Sequence, residues 1–267
     1  MSGFSAEWLK QREPYDLRAR NTSVLDAVVD LLAGQPSVAI IDLACGTGST
    51  FRALSPRIKA RQNWRLVDND LSLLARAPSS SSSITVTPAP VDLNRDLEAA
   101  FDGPADLVTT SALLDLVSSE WLDRLVVEVA ARGLPVYAAL SYDGRAHPAP
   151  ADPLDRRIVE AVNLHQRKDK GFGPALGPSA ATAAISAFKR VGYAVTYGMA
   201  DWEFAPEDRE IQTEILSGWA AAARETRDPA RAEIIGWLKR RRELIAAGQS
   251  SIRVGHVDLL ARPTGTR

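Results

Sequence analysis

A glycine-rich turn near residue 46 is the part of the chain best suited to hold a ligand. The apolar residues Val38–Ile41 lead into Asp42, and Gly46 and Gly48 follow within six residues. In α/β proteins a buried strand that ends in such a turn opens a nucleotide site, because glycine allows positive φ and close approach of a ligand. Phe51 stands where the dinucleotide fingerprint has its third glycine, and the Gly-Lys-Ser/Thr of a phosphate loop is also missing.

The spacing Asp-x-x-x-Gly-x-Gly resembles motif I of the class I S-adenosylmethionine (SAM) methyltransferases. For this string alone, the alternative is any other α/β nucleotide-binding loop. The resemblance implies SAM as the cofactor and S-adenosylhomocysteine (SAH) as the product. It also implies that Asp42, Ala44, Gly46 and Gly48 belong to the cofactor site.

A second acid lies where the next predicted strand ends. Asp68 comes 26 residues after Asp42, and a carboxylate there can accept hydrogen bonds from both ribose hydroxyls of a nucleoside. In the family that the turn resembles, the ribose-binding acid occupies this position, and we assign Asn69 to the same site. Asp70 is the alternative acid, although it can instead cap the following helix.

Two further predicted strand ends carry residues for the rest of the cofactor. Asp92 ends the third strand and Leu93 follows it. By the resemblance, this acid holds the adenine amino group and the apolar side chain covers the ring. The alternative for Asp92 is a turn aspartate that satisfies local backbone amides. Ser111 follows the fourth strand, at the motif IV position of the family, where the methionine part of SAM lies.

Asp115 is a candidate catalytic residue four positions after Ser111. Many small-molecule methyltransferases place a substrate-facing polar residue here, and its carboxylate could position an amine or help remove a proton. The alternative is an acid favoured by the dipole at a helix start. Methyl transfer from a sulfonium needs mainly positioning and exclusion of water, so a base is required only if the acceptor is protonated.

The segment 163–178 combines glycines with a dense group of charged and aromatic residues. His165, Arg167, Lys170 and Phe172 lie in it, after the fifth predicted strand. Glycines provide hinges and charges provide recognition, which favours a lid or substrate loop over the alternative of a solvated charged turn. We assign the last three residues to substrate binding. His165 is a candidate general base, with a structural histidine as the alternative.

Aromatic and basic residues elsewhere are candidates for the walls of the site. In related folds N-terminal helices cover the cofactor, so Tyr15 or Arg20 could reach the SAM carboxylate, against the alternative of helix-surface residues. We assign Arg20 to the cofactor and Tyr15 to the substrate side. Tyr142 follows strand five and is a further substrate-wall candidate. Trp202 and Phe204 fit an acceptor pocket or the protein core equally well.

The elements that must position these residues alternate between strands and helices. Strands of unbroken apolar character, separated by helices, predict an α/β protein with a seven-stranded, mostly parallel, doubly wound sheet. The family pattern implies that strand seven inserts antiparallel between strands five and six. We predict one domain over 1–267, with an N-terminal helical cap, a substrate loop, and helical insertions after strands five and six. The predicted strands are 38–43, 64–67, 84–86, 105–109, 134–140, 193–197 and 251–261, and the three special segments are 1–34, 143–178 and 207–247.

Composition narrows the functional classes. The net charge of −1 gives no general attraction to nucleic acid or anionic membranes. We see no signal peptide, no apolar run long enough to span a bilayer and no metal-ligand cluster, and the single cysteine, Cys45, excludes an internal disulfide. A cytoplasmic protein is therefore expected. The basic run Lys239–Arg242 favours a solvated helix face, with a phosphate-binding patch as the alternative.

The sequence thus predicts a SAM-dependent methyltransferase that transfers a methyl group to oxygen, nitrogen or sulfur of a small molecule. Two alternatives stay open: an RNA or protein methyltransferase that uses the basic run, and a protein that binds SAM without methylating. A homodimer is also compatible with the sequence, because the helical insertion 207–247 suits either a lid or a dimer surface.

Overall fold

The computed structural model describes residues 4–226 and 228–265. Its strands are Ser37–Leu43 (β1), Arg61–Asp68 (β2), Ile84–Pro90 (β3), Leu107–Ser111 (β4), Val136–Ala149 (β5), Tyr193–Met199 (β6), Trp202–Phe204 (β7) and Ser251–Pro263 (β8). Its α-helices are Ala6–Ala19 (α1), Thr22–Leu31 (α2), Ser49–Leu54 (α3), Leu71–Leu74 (α4), Ser119–Arg132 (α5), Asp155–Gln166 (α6), Ala180–Arg190 (α7), Arg209–Arg224 (α8) and Arg231–Ala246 (α9). From β1 to β5 every connection between strands is helical, as the sequence predicts, with a short 3-10 helix at Glu98–Phe101 between β3 and β4. Two helices, α6 and α7, separate β5 from β6.

All the strands belong to a single sheet in the order β3-β2-β1-β4-β5-β8-β6, with β7 paired to β8. The strands β1 to β5 pair in parallel, while β8 runs antiparallel between β5 and β6. This order confirms the predicted layout, in which the last strand inserts between the fifth and the sixth.

The count of seven strands needs one correction, since β6 and β7 are separate strands. Met199 pairs with Val257 and Trp202 pairs with Val254, so both strands keep one register along β8. The interruption lies at Asp201, whose carboxylate accepts the backbone N–H of His256 at 3.2 Å. A side chain thus replaces one rung of the ladder, and β7 is the continuation of β6 along β8.

Side chains of the central strands alternate between two hydrophobic clusters. Ile41 and Leu43 of β1 pack in the cluster with α5 and α7, while Val38 and Ile40 pack in the cluster with α2 and α3. Because successive residues of a strand point to opposite faces, helices on both faces bury the whole apolar run. The doubly wound α/β fold is therefore confirmed.

Strand β5 is much longer than predicted, and this changes the extent of the substrate loop. Residues 143–149 belong to β5 and 155–166 to α6, so the loops are 150–154 and the part after α6. Pro148 and Pro150 are the reason for placing 143–150 in the predicted substrate loop, because proline cannot donate a hydrogen bond to a neighbouring strand. Beyond Ala139, however, β5 pairs with β8 alone, and proline is tolerated where a strand has a free edge.

The long ends of β5 and β8, together with β7, form an antiparallel ribbon that extends beyond the parallel sheet. Helices α6, α8 and α9 cover this ribbon and enclose a third hydrophobic cluster, centred on side chains such as Ile158, Leu216 and Trp237. The insertion 207–247 is thus helical as predicted, and it packs on the ribbon. Within 4–226 and 228–265, no helix has both the length and the apolar character needed to cross a bilayer.

Candidate functional site

A cavity of about 890 Å³ opens at the carboxyl edge of the parallel strands, and we refer to it as the edge cavity. Side chains that follow four adjacent strands line it, helix α1 covers it, and the loop after α6 closes one end. The main contributors are Ala44–Thr47, Asp68–Leu73, Val91–Leu93, Ser111–Leu113, Leu9, Arg12, Asp16, Asp169, Lys170 and Phe172. The carboxyl ends of neighbouring parallel strands meet at one edge, which explains why residues spread along the chain share one cavity.

The glycine turn forms the floor of the edge cavity. Ala44 and Gly46 have φ of 51° and 55°, and both line the cavity. A Cβ on Gly46 would lie 3.1 Å from the side chain of Leu9, so α1 sits directly over this turn. Gly48 does not line the cavity: it has φ of 86°, starts α3, and a Cβ there would lie 2.7 Å from Pro78. The structure therefore gives a conformational and packing reason for glycine at position 48.

Asp68 connects the glycine turn to the next strand end. One carboxylate oxygen accepts the backbone N–H of Gly46 at 2.8 Å, and the other accepts the N–H of Asp70 at 3.0 Å. Asp68 is half-buried at the cavity wall, beside the exposed Asn69. Each oxygen keeps a lone pair for a hydroxyl donor. Asp70 caps α4 by accepting the N–H of Ser72, which is the alternative considered for it.

Asp42 lies away from the cavity wall, contrary to the sequence assignment. It is 1% exposed, and its Oδ1 accepts the hydroxyl of Thr109 on β4 at 2.7 Å. Burial raises the pKa of Asp42 to about 7. Among the described residues its Oδ2 has no hydrogen-bond partner. Asp42 therefore joins β1 to β4 beneath the glycine turn.

Asp92 and Leu93 line the edge cavity at the end of β3. One oxygen of Asp92 accepts the N–H of Asn94 at 3.0 Å, so the turn role considered as the alternative is present. The second oxygen makes a loose ion pair with Arg95 at 3.6 Å. Leu93 is buried, and its carbonyl accepts the indole N–H of Trp121 at 2.7 Å, which fixes this apolar wall.

Ser111 presents an unsatisfied hydroxyl to the site. Its Oγ is buried and has no hydrogen-bond partner among the described residues, although Ser111 lines the edge cavity. The next residue, Ala112, has φ of 52° and also lines the cavity. Non-glycine residues rarely adopt this conformation, and such strained residues cluster at ligand sites. A polar ligand atom here would satisfy Ser111.

Arg20, assigned to the cofactor carboxylate, is not in the cavity wall. It is 5% exposed and donates hydrogen bonds to Tyr137 at 3.2 Å and to Thr50 at 3.3 Å. The cation that does reach the cavity is Arg12, one of the residues missed in the sequence. We expected Pro14 to separate two helices, but α1 continues through it, and this changes which residues of the segment face inward.

Arg12 is buried yet keeps hydrogen-bonding capacity for a ligand. It is 8% exposed, and its Nε donates to Asp16 at 2.9 Å. Its guanidinium carbon lies 5.7 Å from the ring centre of Trp202, whose indole N–H also donates to Asp16 at 2.9 Å. Among the described residues, the terminal nitrogens of Arg12 have no hydrogen-bond partner. The signal in the sequence was the Arg12/Asp16 spacing of one helical turn.

Several expected substrate residues have structural partners away from the edge cavity. Tyr15 donates to Asp208 at 2.7 Å, beside a second surface depression, and Tyr142 donates to Asn163 at 2.7 Å within the core of the ribbon. Arg167 is exposed at the end of α6. Trp202 and Phe204 pack in the same core, so the core alternative holds for them, with Trp202 also supporting Arg12.

Neither catalytic candidate lines the edge cavity. Asp115 is 6% exposed next to Tyr142, and burial raises its pKa to about 6. His165 is half-buried behind Lys170, and burial followed by the nearby Lys170 lowers its pKa. Lys170 and Phe172 do line the cavity, and Phe172 packs edge-on against Trp121 at 5.6 Å.

The basic run at 239–242 has one buried residue, Arg241, and three exposed residues. Arg241 is fully buried, where it pairs with Asp155 and donates to the carbonyl of Pro150 at 2.6 Å. Arg240 pairs with Asp152 at 2.6 Å, and Arg242 donates to Ser217 at 3.2 Å. The expected solvated face is therefore only partly present, because two of these arginines anchor α9 to the segment before α6.

Cys45 lines the edge cavity next to Gly46. It is buried, and burial followed by the nearby Asp42 and Asp68 raises the pKa of its thiol. The protonated thiol is a poor nucleophile, so Cys45 contributes to the cavity wall and not to the chemistry.

Comparison with known proteins gives matches at the level of three-dimensional structure. No protein-family model matches the chain, and no curated protein matches its sequence. A cyclopropane-fatty-acyl-phospholipid synthase-like protein from Lactobacillus casei is 15% identical over 97% of this chain and 94% of that chain, with a TM-score of 0.54. A Bacillus halodurans protein described as a candidate methyltransferase is 13% identical over 91% of this chain and 100% of that chain, with a TM-score of 0.51.

A SAM-dependent methyltransferase from Geobacter sulfurreducens, solved in complex with SAH, is 13% identical over 99% of this chain and 100% of that chain. Its TM-score of 0.48 adds nothing to the fold assignment. At identities this low the matches establish the fold and nothing finer. The chain has the fold of the class I SAM-dependent methyltransferases, as its motifs predicted.

Proposed function

We propose that this protein is an enzyme that uses SAM to methylate oxygen, nitrogen or sulfur of a small molecule. One observation carries the proposal: Asp68, Asp92 and Ser111, which follow three different strands, meet the Gly46 turn at a single cavity of a methyltransferase fold. Ligands of open α/β sheets bind at this edge. The alignment of four strand ends is far more specific than the turn alone.

The wall of the edge cavity suits each part of SAM. The free lone pairs of Asp68 suit the ribose hydroxyls, and the carboxylate of Asp92 with the side chain of Leu93 suits adenine. The unpartnered hydroxyl of Ser111 suits a polar group of the methionine part. When bound, SAM would supply an electrophilic methyl group on a sulfonium. The protein's contribution is to orient the two reactants and to exclude water, with α1 as the cover.

Arg12 takes the role first assigned to Arg20, as the partner of the cofactor carboxylate. It lies one turn after Leu9, which covers Gly46, and its terminal nitrogens are open to the edge cavity. A guanidinium whose Nε is already held by Asp16 is oriented before a ligand arrives, and its two outer nitrogens match a carboxylate.

Replacing Arg12 with methionine should therefore weaken SAH binding but spare 5′-methylthioadenosine, which has the nucleoside and sulfur but no amino-acid part. We expect a 10- to 100-fold loss for SAH, because a charge-assisted bond contributes about 1.5–3 kcal/mol. Affinity for 5′-methylthioadenosine should change less than twofold. Calorimetry with both ligands measures this. Arg18→Met, an exposed arginine of the same helix, is the control, and equal losses for both ligands in R12M would contradict the role.

The preference for a small acceptor rests on the enclosure of the edge cavity and on the pairing of two arginines of the basic run with carboxylates. Ligand pockets for small molecules measure roughly 300–1,000 Å³. The edge cavity lies within that range and is covered by α1 and the loop of Phe172. A nucleic-acid substrate would need an open basic surface, whereas Arg240 and Arg241 are paired with carboxylates.

The deciding experiment is calorimetric titration of the protein with SAM and with SAH, followed by measurement of SAH release with pooled metabolites as acceptors. Micromolar binding of both ligands and acceptor-dependent release of SAH would support the proposal. A folded protein that binds neither ligand would refute the cofactor assignment. Binding without turnover on any pool would favour a SAM-binding protein without transferase activity.

A further inference from the structure

Lys170 occupies a well-defined position at the end of the edge cavity. It lies in the loop between α6 and α7, where the carboxylate of Asp169 accepts the N–H groups of Gly171 at 2.6 Å and Gly173 at 3.1 Å. Phe172 packs against Trp121 on α5 at 5.6 Å. These contacts hold both sides of Lys170, so the loop presents its side chain in a fixed place.

A chain of polar groups that lies outside the wall of the edge cavity holds the side chain of Lys170. Its ammonium lies 3.3 Å from Nδ1 of His165, and Nε2 of the same ring lies 3.3 Å from the carboxylate of Glu225. Lys168 also pairs with Glu225, at 2.8 Å. An ammonium can only donate, so His165 accepts at Nδ1 and carries its proton on Nε2, facing Glu225. The histidine thus acts as an orienting group.

This arrangement uses one of the three N–H donors of Lys170. Among the described residues, no other group lies within hydrogen-bonding distance of its nitrogen, and the side chain borders the edge cavity. Burial lowers the pKa of Lys170, while the carboxylates of Glu225 and Asp115 oppose that shift. A half-buried ammonium with unused donors is stabilised most by an anionic oxygen.

The anion for Lys170 need not be the one held by Arg12, because the two cations stand on different elements of the cavity wall. Arg12 is on α1, next to the turn of Gly46, whereas Lys170 follows α6 beside Asp169 and Phe172. The edge cavity therefore has two separate cations. SAM has a single carboxylate, which the proposed function places at Arg12.

We propose that the methyl acceptor carries an anionic group, a carboxylate or a phosphate, and that this group binds the ammonium of Lys170. His165 and Glu225 are positioning residues that aim the ammonium into the edge cavity. The inference rests on the proposed function, because it takes the cofactor to occupy the strand-end part of the same cavity.

The test uses His165 as the reporter and inorganic phosphate as the probe. The chain has three histidines, so the ring signals of 15N-histidine-labelled protein are assignable with His165→Gln. We expect phosphate added to the SAH-bound protein, at constant ionic strength, to shift the His165 signal saturably. Lys170→Met should abolish the shift, whereas Lys170→Arg and the control Lys189→Met, at an exposed lysine of α7, should retain it. Unchanged signals of His147 and His256 would show that each variant is folded.

Two results would overturn the proposal: no saturable shift in the wild type, or a shift that persists in K170M. A third would do so by another route. If phosphate shifts His165 with 5′-methylthioadenosine bound but not with SAH bound, Lys170 holds the cofactor's own carboxylate. Failure of the proposed function is distinguishable, because it appears as absence of SAH binding, and the phosphate response of the free protein still decides whether Lys170 binds an anion. Acetate is then titrated against phosphate with the same His165 signal. Displacement of phosphate by acetate favours a carboxylate on the acceptor, and no displacement favours a phosphate.

Discussion

Replacing Asp68 with asparagine should weaken SAM binding at least 100-fold, which corresponds to about 2.7 kcal/mol. The physical reason is that two ribose hydroxyls lose a charged acceptor, and each hydrogen bond to a charged group contributes about 1.5–3 kcal/mol. Asp68 also holds the N–H groups of Gly46 and Asp70, so the variant loosens the turn that it supports. Calorimetric titration with SAM measures the loss directly.

Asp106→Asn is the matched control for this experiment. Asp106 also accepts a backbone N–H at a strand end, that of Ala39 at 2.8 Å, and it does not line the edge cavity. The control should bind SAM as the wild type does. If D68N binds SAM within threefold of the wild type, Asp68 does not hold the ribose, and the nucleoside must lie elsewhere in the cavity.

Replacing Asp258 with alanine should lower the free energy of unfolding by about 3–5 kcal/mol, the range for breaking a buried charged network. Asp258 is fully buried in β8. Its carboxylate accepts the N–H of Leu140 at 2.7 Å, the N–H of Asn21 at 3.0 Å and the hydroxyl of Tyr137 at 3.1 Å. Burial raises the pKa of Asp258, and the charge of the buried Arg20 opposes that shift. The variant leaves all these groups without their acceptor.

Urea unfolding of D258A and of Asp258→Asn separates the contribution of the accepted hydrogen bonds from that of the negative charge. The asparagine variant keeps one acceptor oxygen but lacks the charge opposite Arg20, so we expect it to lose less stability than alanine. Asp123→Asn is the surface control, since Asp123 makes an exposed ion pair with Arg190 at 3.4 Å, and such pairs contribute about 0–1 kcal/mol. A loss below 1 kcal/mol in D258A would show that water replaces the carboxylate and that the network is not a source of stability.

The residues that the sequence located well are those at the ends of parallel strands. Asp68, Asp92 and Ser111 each follow an apolar run, and parallel topology brings such ends together whatever the details of packing. Positions within the motif itself are harder to predict. Asp42, near the end of β1, accepts the hydroxyl of Thr109, and Gly48 leaves no room for a Cβ beside Pro78. One residue of register decides whether a side chain faces a ligand or a neighbouring strand.

Residues on helices and loops were predicted less well, for physical reasons that differ. The sequence did not show that α1 continues through Pro14, and Arg12 of that helix, not Arg20, lines the edge cavity. The length of β5 depends on its free edge, which no local pattern around Pro148 reveals. The support of Lys170 needs Glu225, which lies 55 residues later in the chain, so it becomes visible only once α6 and α8 are packed together.

Helix α1 contacts both the edge cavity and the third hydrophobic cluster, so it connects the ligand site to the helices that cover the ribbon. One side of α1 covers the edge cavity through Leu9 and Arg12, while Trp8 and Tyr15 pack against the core shared by the ribbon, α8 and α9. Any ligand that orders α1 therefore also adds to the local stability of helices that it never touches. By the same linkage, substitutions in α8 or α9 that change how firmly α1 is held should also change the affinity of the edge cavity for its ligand.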